Sequence, residues 1–303
     1  MPSLREVKDR IASVRSTLKI TSAMKLVASS KLRKVQRAVE SLRPFEEELS
    51  GILASLLPAA NRASGGSATE TINPAQRSPG QSLRRPDGGS KAPAVVLAFA
   101  SNSSMCGAFN ANVSRKALEV IRGTEGPVEV WAFGRKMSEA LRKAGHPCSR
   151  DYQELVARPS FSGAAVIARE LRELYERGDI SRVLLVYNHF VSTGRQQIVE
   201  ERYLPFEYES GDEARAIDPG LYILEPGPEE LLATLLPQVL DLRLYAALLD
   251  SAAAEHAARM VAMQAATDNA EELLAELSLE YNKGRQYKIT SEILDLVSGS
   301  ASQ

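Results

Sequence analysis

Cys106, Cys148, His146, His189 and His256 are the side chains of this 303-residue chain best suited to hold a metal or act as nucleophiles. A structural zinc site needs four such ligands at short, paired spacings. Only His146 and Cys148 are close in sequence, so no metal site is expected. A cysteine nucleophile needs a base and a group that orients that base, and no such set can be named. Structural or surface roles account for all of them. Two cysteines are also too few for a disulfide framework, which points to a reducing compartment.

A second place for chemistry is the loop SNSSMCGAFN, residues 101–110, which follows the apolar run AVVLAFA. In an α/β domain such a loop can cradle a phosphate through GxGxxG or GxxxxGK(S/T). Neither pattern is present, and Gly107 is expected to serve the turn. A third set is polar. Arg259, Asn269, Asn282, Arg285 and Gln286 lie on or beside an otherwise apolar helical pattern. Polar residues at such positions can fix register. Placed on an outer face, they can meet a partner.

The elements that position these residues are two long helices at opposite ends of the chain. From Glu229 to Val297, apolar or small residues recur on two seams with a seven-residue period. One seam is Val239, Ala246, Ala253, Met260, Thr267, Leu274 and Tyr281; the other is Leu242, Leu249, His256, Met263, Ala270 and Leu277. This is a coiled-coil pattern, and such a helix cannot bury its seams alone. The N-terminus supplies the partner. Ser3 and Glu6 form a capping box that predicts a helix start. Leu4, Ile11, Leu18, Lys25, Leu32 and Val39 make one seam, and Val7, Val14, Thr21, Ala28, Val35, Leu42 and Leu49 the other. Pro44 is expected to kink this helix and Pro58 to stop it. At ~1.5 Å per residue both helices would be about 80–100 Å long, so they are expected to project from a compact domain.

Charge is split between them. Arg5 to Arg43 holds eleven Lys and Arg against Glu6, Asp9 and Glu40, while Glu229 to the end holds twelve acids against five bases. The near-neutral total, −1, therefore hides two oppositely charged helices. Solvated faces would explain any single charge. An acidic partner within the same chain, and the lack of interleaved aromatics, argue against a nucleic-acid role for the basic stripe.

Between the helices, residues 61–93 are rich in Gly, Ser, Pro and Arg without apolar periodicity, which reads as a disordered linker. Strands are expected at 94–100, 128–134 and 182–190, with helices at about 110–122, 135–144 and 163–177 between them. This alternation predicts a parallel sheet with helices on its faces. The run 196–207 follows the third strand without a helix and is expected to pair antiparallel at an edge. The reading is an α/β fold: a long antiparallel coiled coil of the terminal helices with an inserted Rossmann-like domain. Its expected parts are 1–58 as the first helix, 59–93 as the linker, 94–228 as the α/β domain and 229–303 as the last helix. No run of eighteen apolar residues is seen, so no membrane span is expected, and no secretory signal is read.

The runs ARMVAMQAATDNA, YNKGRQ and IT near the C-terminus, and IASVRSTLKITSAMKLVASSKLRK and SLRPF near the N-terminus, closely resemble the gamma subunit family of F-type ATP synthases. The resemblance covers both terminal helices almost completely and the middle more loosely. It implies a central shaft that turns inside a ring of alternating alpha and beta subunits and stands on a membrane ring of c subunits. It implies no cofactor and no active site in this chain, with catalysis on the beta subunits. Met24, Arg259, Arg285, Gln286, Thr290 and Glu292 match family positions that face beta-subunit loops. Tyr203, Glu207, Tyr208 and Tyr222 are expected to meet the c-ring or the epsilon subunit. The implied location is the cytoplasmic face of a bacterial inner membrane, as a peripheral subunit. One departure stands out. Where the family usually has Asp, a basic residue and Gly, this chain has Asn102, Ser103 and Ser104, which puts that loop's charged contact in doubt. The alternatives are a non-motor coiled-coil adaptor and a nucleotide-dependent enzyme.

The missing phosphate loop gives a direct test. The purified chain should neither bind ATP with micromolar affinity nor hydrolyse it; stoichiometric binding in calorimetry would contradict this reading.

Overall fold

The computed structural model describes residues 3–63, 92–206, 225 and 227–301. The chain divides into two compact units, Met1–Ser30 with Arg259–Gln303, and Lys31–Ala258. Helix α1 (Leu4–Ala63) and helix α6 (Pro228–Ala301) each contribute residues to both. The capping box forms as expected: Ser3 N donates to Glu6 Oε2 at 3.1 Å, and Glu6 N donates to Ser3 Oγ at 3.3 Å. Pro58 does not end α1, which continues to Ala63. A proline removes one backbone donor, and neighbouring turns anchored by buried Leu53 and Leu56 hold the helix through that loss. Most of the expected linker, residues 64–91, lies outside the described residues.

In the first unit the helices run antiparallel, because facing numbers rise on one as they fall on the other. Leu4 lies against Gly284, Thr21 against Thr267, and Lys25 against Gln264. The seams are the covered positions. Val7, Thr21 and Ala28 are buried on α1, and Met263, Thr267, Ala270 and Leu277 on α6. The cross-coil polar contacts are few. Lys25 Nζ donates to Gln264 Oε1 at 2.9 Å, reaching an amide rather than an acid. Thr267 Oγ1 lies 3.1 Å from Thr21 Oγ1 and 2.7 Å from the Met263 carbonyl, so one hydroxyl pair satisfies itself inside an apolar seam.

The second unit contains the sheet: β1 (Ala94–Phe99), β2 (Val128–Phe133), β3 (Arg150–Asp151), β4 (Arg182–Ser192) and β5 (Arg195–Leu204). The order is β3-β2-β1-β4-β5, parallel except for the antiparallel β4–β5 pair at one edge, as expected. Alternation along β1 feeds two cores. Val95, Leu97 and Phe99 pack with α5 (Phe161–Glu176), the end of α1 and the start of α6. Val96, Ala98 and Ala100 pack with α2 (Phe109–Gly123) and α3 (Arg135–Lys143) on the other face. The strand β3 and the short helix α4 (Gln153–Ala157) were not read from sequence. They are two and five residues long and contain no fully buried residue, so neither leaves an apolar period.

One expectation needs correction. The α/β core does not close at residues 94 and 228, because Leu53, Leu56 and Leu232 to Leu248 belong to it. The long helix is also apolar enough to cross a bilayer by length and composition, with mean hydropathy 1.4 over an eighteen-residue stretch of Glu230–Leu294. Its leucines have other work. Leu232, Leu236, Leu240, Leu244 and Leu248 enter the sheet core, while Leu242, Leu249 and Ala253 are buried on the coiled-coil seams. A helix covered on more than one side is apolar around most of its circumference. Arg172 of α5 locks this segment: its guanidinium donates to the Pro237 carbonyl at 3.0 Å and pairs with Asp241.

Gly134 ends β2 at φ 99°, where an added Cβ would stand 2.3 Å from the Ala100 carbonyl oxygen. Gly134→Ala should therefore lower stability by at least about 1–3 kcal/mol. Urea unfolding followed by circular dichroism reads this, and an unchanged midpoint would show that the turn tolerates a side chain.

Candidate functional site

The last turns of α6 are unlike the rest of the coil. Because α1 starts at Leu4, beside Gly284, the residues that follow Gly284 have no facing α1 residue among those described. Yet they are not a polar surface. Tyr287 is 71% exposed, Ile293 54%, Leu294 62%, Leu296 74% and Val297 60%. Contiguous apolar exposure of this kind marks a surface that another molecule covers. Sequence reading placed polar contact residues here but missed these apolar ones. The missing step was to count back from Leu4 to the point where the partner helix runs out.

Arg285, Gln286, Thr290 and Glu292 all lie on this extension and all are exposed. Arg285 presents a planar fork of donors, which suits a carboxylate. Gln286 carries both donors and an acceptor. Thr290 is less free: its hydroxyl donates to the Gln286 carbonyl at 2.9 Å, so toward a partner it can only accept. Glu292 lies 3.8 Å from Lys288 in a wide-open pair, which contributes about 0–1 kcal/mol. Met24 and Arg259 are elsewhere. Both are half-buried on the paired part of the coil, and Arg259 is roughly 40 Å of helix away from Arg285. The expected contact residues thus form one cluster on the extension and two separate positions along the coil.

The second expected group separates differently. Tyr203 is fully buried on β5, and its hydroxyl donates to the Leu240 carbonyl at 2.9 Å. Burial holds this phenol above its ordinary pKa. Tyr203 therefore ties the sheet to α6 and is not available to an outside partner. Glu207, Tyr208 and Tyr222 lie outside the described residues.

The loop after β1 shows what replaces the missing charges. Asn102 Oδ1 accepts from Arg135 N at 3.0 Å, and Asn102 Nδ2 donates to the Gln153 carbonyl at 2.7 Å. Ser101 N donates to Asn110 Oδ1 at 3.0 Å, and Asn110 Nδ2 lies 3.1 Å from buried Cys106 Sγ. Met105 and Gly107 complete the turn at φ 66° and 58°. The amides thus bind the loop to α3 and α4 rather than leaving charge at its rim. The loop's glycine makes a turn.

Comparison with known proteins agrees with this arrangement. A family model described as ATP synthase matches residues 3–302. The ATP synthase gamma chain of Bacteroides fragilis is 44% identical over 306 residues, covering 99% of each chain. That of Heliobacterium modesticaldum is 36% identical, again covering 99% of each. The fold is that of the central stalk of the Tetrahymena thermophila mitochondrial ATP synthase, with TM-score 0.56 and 22% identity over 82% of this chain and 99% of that one. It is also that of the Euglena gracilis mitochondrial ATP synthase rotor, with TM-score 0.58 and 18% identity over 94% and 98%. Likeness over essentially the whole length, on this fold, makes the chain a member of the ATP synthase gamma chain family.

Proposed function

We propose that this chain is the rotating central-stalk subunit of an ion-translocating ATP synthase, turned by a membrane c-ring and setting the state of the catalytic sites on surrounding beta subunits. The carrying observation is the exposed apolar end of α6 beyond Gly284, which no described residue of α1 faces and which needs an enclosing partner. A ring of alternating alpha and beta subunits supplies such an enclosure. The chain itself contributes no catalytic group in this reading; it is a subunit of the complex and chooses which site is open.

The selection follows from asymmetry. One helix cannot present the same face to three surrounding sites. Each orientation favours a different set of site conformations, through contacts made in one and absent in the next. Arg285 and Gln286 are the side chains best placed to make such contacts, with Thr290 as an acceptor and Glu292 as an exposed charge. Met24 and Arg259 would meet the ring further along the coil. Ion flow, of protons or sodium, turns the c-ring and drives synthesis; hydrolysis runs the same coupling in reverse. Glu207, Tyr208 and Tyr222 are assigned to the c-ring or the epsilon subunit, and the complex to the cytoplasmic face of the membrane.

A desolvated hydrogen bond to a charged group contributes about 1.5–3 kcal/mol, tenfold or more in an equilibrium between site states. Arg285→Ala and Gln286→Ala should therefore leave the melting of the chain almost unchanged and lower ATP turnover once assembled with alpha and beta subunits. Wild-type turnover in both assembled variants would return these residues to an ordinary helix surface. For the other end, cysteines at positions 208 and 222 should crosslink to c-ring or epsilon subunits in the whole complex. Crosslinks only to alpha or beta would reverse the proposed polarity.

A further inference from the structure

In the second unit, a cavity of about 520 Å³ opens between the middle of α1, the β4–β5 hairpin and α6. It gathers carboxylates from three elements: Glu46 from α1, Glu201 from β5 and Asp250 from α6. The neighbouring positive and donor groups are nearly all committed. Arg243 of α6 pairs with Glu201. Tyr187 of β4 donates its hydroxyl proton to the same Glu201 at 2.9 Å. Asp250 takes His189 of β4 on one oxygen and the Phe190 backbone N–H, at 2.8 Å, on the other. On α1 itself Glu40 and Arg43 line the rim, both exposed to water. Glu46 is half-buried and its carboxyl has neither a hydrogen bond nor an ion pair among the described residues.

We propose that Glu46 is a proton-operated clasp that fastens the middle of α1 to the β4–β5 hairpin and α6. Ionised, it is a third negative charge facing two carboxylates whose own partners, Arg243 and His189, are already engaged, with only the exposed Arg43 beside it on α1. Protonated, it gains one O–H donor, and the oxygens of Glu201 and Asp250 across the cavity are its natural acceptors. The step is the gain or loss of a single proton exchanged with water. It goes beyond the rotor role and does not depend on it, because every group named lies within one unit of this chain.

The electrostatics point the same way. Burial, then the charge of Glu201, hold the Glu46 carboxyl above its ordinary pKa; Arg243, Arg43 and Asp250 are smaller influences. A carboxyl raised in the folded state costs stability when it ionises. The clasp is therefore closed on the acid side, and its contribution is lost as pH rises through the folded pKa.

Hydrogen exchange of α1 in the full chain tests this, measured at about pH 4.5, in the ordinary carboxyl range where a raised carboxyl is mostly protonated, and at about pH 8, and corrected for intrinsic rates. In the wild type, exchange across residues 40–53 should slow several-fold on the acid side. Glu46→Gln, neutral at both values, should show the slow rate at both. Equal wild-type rates at the two pH values would overturn the proposal. So would a Glu46→Gln chain that keeps the wild-type pH dependence, since the effect would then belong to His189 or Asp250. If Glu46→Gln does not fold, Glu46→Asp serves, because it keeps the acid but shortens its reach. It should lose the acid-side slowing, and wild-type slowing in it would equally refute the clasp.

Discussion

An apolar seam on a helix cannot stay in water, and in this chain two such seams lie at opposite ends of the sequence. Burying them forces the first and last segments together and makes everything between them an insertion. The pairing rests on apolar seams more than on charge. Lys25 reaches an amide, and the buried polar pair, Thr21 with Thr267, satisfies itself. Opposite net charges on the two helices favour their approach over a distance, but screening leaves exposed charges little to contribute once the helices have met. Register is set where a neighbour fits closely, as where Leu4 comes within 3.1 Å of a Cβ built on Gly284.

The same long helix serves the sheet. Between Leu232 and Leu248 its residues enter the core formed with β1, β2, β4 and α5. Pro237 sits inside this stretch, where the chain has one donor fewer. Its carbonyl accepts from Arg172, which also pairs with Asp241, and the Leu240 carbonyl accepts from Tyr203. Side chains from the α/β domain thus bond the backbone of the coil helix directly. In the proposed role, torque entering the domain would leave along the helix through this junction rather than dissipate in a hinge.

The loop after β1 illustrates how one position can change its purpose. Neutral amides and hydroxyls at 101–110 turn inward and knit the loop to α3, α4 and α2. A charged pair at the same place would stay hydrated at the rim and be available to a partner. Fixing the loop and reaching outward compete for the same side chains.

Sequence alone determined the helices other than the short α4, the pairing of the two long ones, the parallel order implied by alternating strands and helices, and the antiparallel edge strand. These follow from periodicity, which is local and survives in a string of letters. It also placed Arg285 and Gln286 on a surface, because they follow the last seam residues. Tertiary structure decided the rest. It buried Tyr203, since strand alternation gives two faces but not which one the α6 helix covers. It drew the core across the expected boundaries at 94 and 228, because Leu53, Leu56 and the α6 leucines meet the sheet only in three dimensions. It gathered Glu46, Glu201 and Asp250 from distant parts of the chain around one cavity. And it exposed the apolar end of α6, because the point where a partner helix stops is a property of two segments packed together and of neither alone.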